Sequence, residues 1–215
     1  MKRIIIIAFI ISLSVMNAQS KFSLGVNGGY AVGNSTFQDV FKSGRGGVVT
    51  LDYSLSENLK IAATSGYMDF LYNNDNLHSM LTEAGFTSMG STNTKLSLIP
   101  VMLGVKYIPF ETKVRPYLQL DFGVHFLKAS NTNIDVSGQE VLAIGETDEV
   151  KAAFAGGVGF LYEILPNFCI DVITKINANN EEFTKTSYIK STNTYKKESS
   201  KTIFTTIACG FVVGL

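Results

Sequence analysis

Along residues 201–215 apolar side chains fall on every second position. Ile203, Ile207, Cys209, Phe211, Val213 and Leu215 share one face, with Thr205 its single polar member. The opposite face carries Thr206, Ala208, Gly210, Val212 and Gly214, side chains too small for the core side of a soluble sheet. An apolar outside over a thin inside is the pattern of a lipid-embedded barrel strand, where lipid-facing and lumen-facing residues alternate.

Seven further segments repeat the period of two, each near the ~9 to 11 residues that a tilted strand needs to cross a bilayer. Phe22, Leu24, Val26, Tyr30 and Val32 alternate with Ser23, Gly25, Asn27, Gly29 and Ala31, and Val49, Leu51, Tyr53 and Leu55 with Val48, Thr50, Asp52 and Ser54. Leu59, Ile61, Ala63 and Tyr67 oppose Lys60, Ala62, Thr64 and Gly66; Ile99, Val101, Leu103, Val105 and Tyr107 oppose Leu98, Pro100, Met102, Gly104 and Lys106. The fifth segment has the cleanest pattern, with Leu118, Leu120, Phe122, Val124 and Phe126 against Gln119, Asp121, Gly123 and His125. The sixth sets Phe154, Val158, Phe160 and Tyr162 against Ala153, Ala155, Gly157 and Gly159. The seventh sets Phe168, Ile170, Val172 and Ile176 against Cys169, Asp171, Ile173, Lys175 and Asn177.

Short connections at 56–58, 108–113 and 163–166 alternate with long ones at 33–45, 71–94, 128–149 and 178–200. Outer-membrane barrels place short turns in the periplasm and long loops outside. The expected fold is therefore all-β, an eight-stranded antiparallel up-and-down transmembrane β-barrel with both termini periplasmic. Its even strand count lets the last strand pair with the first and removes open edges. An eight-stranded soluble cup needs an apolar interior to hold a greasy ligand; here the face opposite the apolar one is Gly, Ala, Ser, Asp, Gln and Lys. Aromatic residues also gather at the strand ends, Phe22, Tyr53, Tyr107, Tyr162 and Phe168 near the short turns and Tyr30, Tyr67 and Phe126 near the long loops, as two membrane-interface girdles require.

The first residues change the address. Lys2 and Arg3, an apolar run over 4–12, and Val15-Met16-Asn17-Ala18-Gln19 have the three-part layout of a secretory signal peptide. A cut after Ala18 makes 1–18 the signal and 19–215 one barrel domain; a cut after Ser20 is the alternative. No cysteine lies near the cut, which excludes lipoprotein processing. Nothing later approaches the ~18 to 20 apolar residues of a helical span, so any crossing must be by a closed barrel. The formal net charge is zero, which leaves no electrostatic case for nucleic acid. The two cysteines, Cys169 and Cys209, fall on opposite faces of the wall and cannot reach disulfide distance, so two free thiols are expected.

With Asn17-Ala18-Gln19, Ile99-Pro100-Val101 opening a strand, Arg115-Pro116-Tyr117-Leu118 entering the fifth and Leu165-Pro166-Asn167 as a turn, the chain resembles the small outer-membrane barrels of the OmpX/OmpA-barrel type. It is most similar in kind to the outer membrane protein β-barrel domain of Bacteroidetes envelopes. The resemblance covers the whole mature chain. It implies residence in the outer membrane of a Gram-negative cell, contact with membrane lipid and lipopolysaccharide, and insertion by the barrel assembly machinery. Such barrels usually end in an aromatic residue; here Leu215 is last and Phe211 the nearest aromatic. No peptidoglycan-binding domain is expected beyond the last strand.

The interior of an eight-stranded barrel is just wide enough for its own side chains. Asp52, Lys60, Lys106, Gln119, Asp121, His125, Asp171 and Lys175 are accordingly expected to form a hydrogen-bonded, ion-paired lumen network, because unpaired buried charges cost several kcal/mol each. Strands one, six and eight bring mainly small residues and leave residual space. The alternative is a narrow pore or pocket for small solutes lined by the same groups. A third reading is a lipid-modifying enzyme, in which His125 would act with Asp121, four residues before it on the same face; His78 lies in the second long loop. No metal-ligand cluster, phosphate loop or nucleophile elbow is present in the sequence, and no cofactor is expected.

The long loops carry the remaining chemistry. Leu77, Met80, Leu81 and Ala84 have helical spacing with Gly85 as a stop. Ile134, Val136, Val141 and Ala143 around Ser137-Gly138 predict a projecting hairpin, acidic through Asp135, Glu140, Glu146, Asp148 and Glu149. The fourth loop is basic through Lys185, Lys190, Lys196, Lys197 and Lys201 and reads as a strand extension. The function expected is that of a monomeric, non-enzymatic envelope protein, structural or contacting an extracellular protein or glycan through its four long loops.

Overall fold

A computed structural model describes residues 21–34, 37–38, 41–75, 79, 95–130, 132–136, 139–144, 147–189 and 194–215, with side chains described outside 132–147 and 180–201. The signal segment, His78 and the helix expected around Leu81 lie outside the described residues.

The period-two segments are realised as β1 (Phe22–Gly33), β2 (Gly44–Ser54), β3 (Leu59–Leu71), β4 (Lys95–Tyr107), β5 (Val114–Ala129), β8 (Thr147–Leu165), β9 (Phe168–Ile189) and β10 (Thr194–Gly214). They close in the order β1-β10-β9-β8-β5-β4-β3-β2, every neighbouring pair antiparallel. Closure pairs Leu24 with Val213 and Tyr30 with Ile207, so the barrel has no open edge. The chain is thus an eight-stranded, all-antiparallel, up-and-down β-barrel.

The apolar face is the outside. Leu120 is 71 % exposed and Phe122, Phe154, Val158 and Ile207 are exposed with it. On β5 this face is unbroken from Val114 to Phe126, roughly 40 Å of strand at ~3.3 Å per residue, which a barrel tilt near 40° turns into about the ~30 Å of a hydrocarbon core. Cys209 is exposed on that wall, Cys169 is buried inside, and both are free thiols, as their opposite faces require.

Beyond the barrel, β6 (Thr132–Val136) and β7 (Gln139–Ile144) form a two-stranded hairpin in the third long loop. β9 and β10 run on as a ribbon to the pair Ile189 and Thr194, and their ladder shifts by a bulge between Lys201 and Ile203, where the ribbon leaves the barrel rim. These strands outrun the sequence-predicted segments because the ladder needs no lipid to continue, whereas the alternation does. At the short-turn end, Leu165-Pro166-Asn167 reverses the chain with Asn167 at φ 64°, a left-handed conformation that Asn tolerates.

Candidate functional site

The lumen is filled in three layers. At the long-loop end, Asn34 accepts the Phe37 N–H at its Oδ1 (3.1 Å), and the Phe41 N–H bonds the Phe37 carbonyl (2.8 Å). This turn brings the Phe37 and Phe41 rings to 5.3 Å from each other, over the barrel mouth. Phe37 meets Phe70 edge-on at 5.1 Å and Phe70 meets Phe204 at 5.7 Å. With Leu96, Leu98 and Leu127 they form a buried apolar lid. The turn is tied down by Asn73 donating to the Gln38 carbonyl (2.8 Å) and by the bridge pairing of Phe41 with Tyr72. At the short-turn end Ile108, Tyr117, Leu161, Cys169, Ile173 and Val212 make a second apolar layer, the floor.

Between lid and floor lies the polar belt. Lys106 donates to Asp52 (2.7 Å) with both side chains almost fully buried, and its ammonium stands 5.0 Å from the Tyr117 ring centroid. Asp121 accepts from Lys175 (2.7 Å) and Gln119 (2.8 Å). Asp171 accepts from the Tyr117 hydroxyl (2.6 Å) and the Asn27 amide (2.7 Å). Two carboxylates are thus ion-paired and the third is held by neutral donors, as a low-dielectric interior demands.

The small residues of β8 have a specific use. Tyr117 reaches Asp171, Asp121 meets Lys175, and His125 lies 3.5 Å from Asn179. Each contact joins β5 to β9 across the intervening β8, whose inner face there is Gly159, Gly157, Ala155 and Ala153. Successive rungs are four residues apart on both strands. The space expected over this small face is therefore crossed by side chains of its two neighbours. What remains is a cavity of ≈ 50 Å³ bordered by Asn27, Gln119, His125 and Asn177, enough for a few water molecules.

Of the eight residues singled out from the sequence, Asp52, Lys106, Gln119, Asp121, His125 and Asp171 are buried in this belt. Lys175 is half-buried and ion-paired. Lys60 is half-buried beside Asp52 and enters none of the ion pairs among the described residues. His125 and Asp121 are not brought together: the carboxylate is engaged by Lys175 and Gln119, and the imidazole packs 5.9 Å from the Phe204 ring. Asn27, Asn177 and Thr206, which the alternation already set on the lumen face, belong to the network as well, and so does Tyr117, which lies just before the fifth segment as read from the sequence. Their parity along β1, β5, β9 and β10 is the signal that places them inside. The Asn34, Phe37 and Phe41 spacing, a cap followed by aromatics on one helical face, is the equivalent signal for the lid.

The sequence model of the outer membrane protein beta-barrel domain matches residues 5–201. Among solved structures, the fold is similar to Neisserial surface protein A, NspA (TM-score 0.53, 18 % identity, 93 % of this chain and 100 % of that one covered). A major outer membrane protein of Thermus thermophilus is similar too (TM-score 0.54, 13 % identity, 90 % and 98 % covered), as is OprG of Pseudomonas aeruginosa (TM-score 0.53, 12 % identity, 91 % and 97 % covered). At these identities the likeness is one of fold. No curated protein matches the sequence.

Proposed function

The chain belongs to the outer membrane protein beta-barrel domain family and resides in the bacterial outer membrane, and from that premise we propose that it is a plugged, non-conducting, non-enzymatic barrel that works through its long loops. The observation that carries this reading is the filling of the lumen by buried apolar side chains toward both ends, Phe37, Phe70 and Phe204 at one and Leu161, Ile173 and Val212 at the other. A conduit would need both apolar layers to part and the ion-paired belt between them to separate. The engagement of Asp121 by Lys175 speaks against a His125–Asp121 catalytic pair.

In this reading residues 1–18 are a cleaved signal and 19–215 the barrel, inserted as a monomer by the assembly machinery with its long loops toward lipopolysaccharide and the medium. In the third and fourth long loops the β6–β7 hairpin and the β9–β10 ribbon are the surfaces offered to an extracellular protein or glycan. The similarity to a protein named a surface protein is consistent with such a role.

Planar-bilayer recording of the purified barrel tests the plug: no stepwise conductance is expected, and regular openings in the wild type would assign it to the pore class. Binding of whole cells to a glycan array, compared with cells whose barrel lacks 132–144 or 182–201, tests the loops. Equal binding by all three would remove the surface-interaction role.

A further inference from the structure

The lipid-facing wall is not uniformly covered by side chains. On the outer face of β1, Gly28 pairs with Gly47 of β2 and with Cys209 of β10, leaving a groove of ≈ 600 Å³ bordered by Tyr30, Arg45, Ile207 and Val172. Packing does not require glycine at position 28, whereas a β-carbon on its partner Gly47 would stand 3.2 Å from the Asn27 carbonyl oxygen. A β-carbon on Gly28 would meet a single atom, the Gly46 carbonyl oxygen, at 3.8 Å, and a glycine inside a strand otherwise weakens it or marks close approach by a ligand or another backbone.

Arg45 stands one outward position above Gly47, at the long-loop end of β2. It is exposed and enters no ion pair among the described residues. Asp69, its register partner on β3, instead accepts from Ser97 (2.8 Å), which also bonds the Tyr67 hydroxyl (2.9 Å). Tyr30, Arg45, Asp69, Ser97, Lys128 and Asp148 form one continuous cross-strand row. On β2 the outward apolar residues Val49 and Leu51 give way at the long-loop end to Arg45, which therefore stands nearest the headgroups of the adjoining leaflet.

We propose that the groove holds one phosphate-bearing membrane lipid, an acyl chain lying over Gly28 and the phosphate held by the Arg45 guanidinium. The proposal rests on the outer-membrane reading above. A planar guanidinium suits bidentate contact with phosphate, and the chain of such a lipid fills a notch that protein side chains leave bare. A second copy fits less well, because a two-fold contact through this groove would bring two Arg45 side chains together.

The test is native mass spectrometry of the barrel in a neutral, phosphate-free detergent with added phosphatidylglycerol, beside diacylglycerol of the same chains. One saturable phosphatidylglycerol per barrel is expected, weakened about tenfold by Arg45→Gln and by Gly28→Leu and less by Arg45→Lys; diacylglycerol is expected to bind poorly. Phosphatidylglycerol should also slow the reaction of Cys209 with N-ethylmaleimide. Equal binding by wild type, Arg45→Gln and Gly28→Leu would overturn the proposal, and a dimer abolished by Gly28→Leu would reassign the groove to a second copy. Heat-modifiable gel mobility of every variant separates these results from misfolding. A wild type that needs no detergent and shows no heat shift would instead overturn the barrel reading, and the lipid site with it.

Discussion

Lys175 of β9 donates to Asp121 of β5 across the bare backbone of Gly157 on β8. A β-carbon on Gly157 would lie 2.6 Å from Lys175 Cγ and 2.6 Å from the Thr174 carbonyl oxygen, so the ion pair exists only because that position is empty. Gly157→Ala is expected to cost about 3 kcal/mol, the lower range for breaking a buried pair. The adjacent Gly156 faces the other way, and a β-carbon there meets only Leu120 Cδ2 at 3.4 Å. Gly156→Ala should change stability by less than about 0.5 kcal/mol. Urea unfolding in lipid vesicles compares the two; equal losses would mean that the rung contributes nothing.

Among the described residues Lys106 and Asp52 form the most deeply buried ion pair. Lys106→Met strands the Asp52 carboxylate and should cost about 3 to 5 kcal/mol, while Asp52→Asn combined with Lys106→Met should recover a good part of the loss. Lys60, half-buried beside Asp52, is the cation available to take over, so Lys60→Met should deepen the defect of Lys106→Met. A complete double-mutant cycle read by urea unfolding gives the coupling, and strictly additive losses would refute it.

Lid and floor close the lumen independently. Phe37→Ala should cost about 3 to 5 kcal/mol by the cavity it leaves, yet remain silent in a planar bilayer because Leu161 and Ile173 still block the short-turn end. Phe37→Ala joined with Leu161→Ala and Ile173→Ala thins both apolar layers and should still stay silent, because Phe70, Phe204 and Val212 remain and the ion-paired belt between the layers holds. Conductance from Phe37→Ala alone would show that the floor is not a seal.

The two thiols should behave as unlike residues. In detergent, Cys209 is expected to react with N-ethylmaleimide within minutes and Cys169 only on unfolding, since one is exposed and the other buried. Intact-mass measurement should show a single adduct, abolished by Cys209→Ser, and gel mobility should be the same with and without reductant.

Strand number, strand faces and the side of each cysteine were all legible in the sequence. The reason is geometric: a strand alternates with a period of two, and a slip of one residue would turn every apolar side chain into the lumen. The same parity placed Asp52, Lys106, Asp121 and His125 inside. Asn27 has it too and stood on the inner face without being counted in the network, while Tyr117 was hidden just before the apolar run that begins at Leu118.

Partner choice was decided only by the tertiary structure. Asp121 lies four residues from His125 along one strand, yet its cation comes from Lys175, two strands away, because strand tilt and the empty backbone of Gly157 bring that ammonium within 2.7 Å. The lid needed tertiary information as well, since Phe37 and Phe41 have nothing to cover until Phe70 and Phe204 stand around the same mouth. Alternation along a strand records which side of the wall a residue faces. Which residues meet inside is set by the stagger of the closed barrel, a property of all eight strands together that no single segment carries.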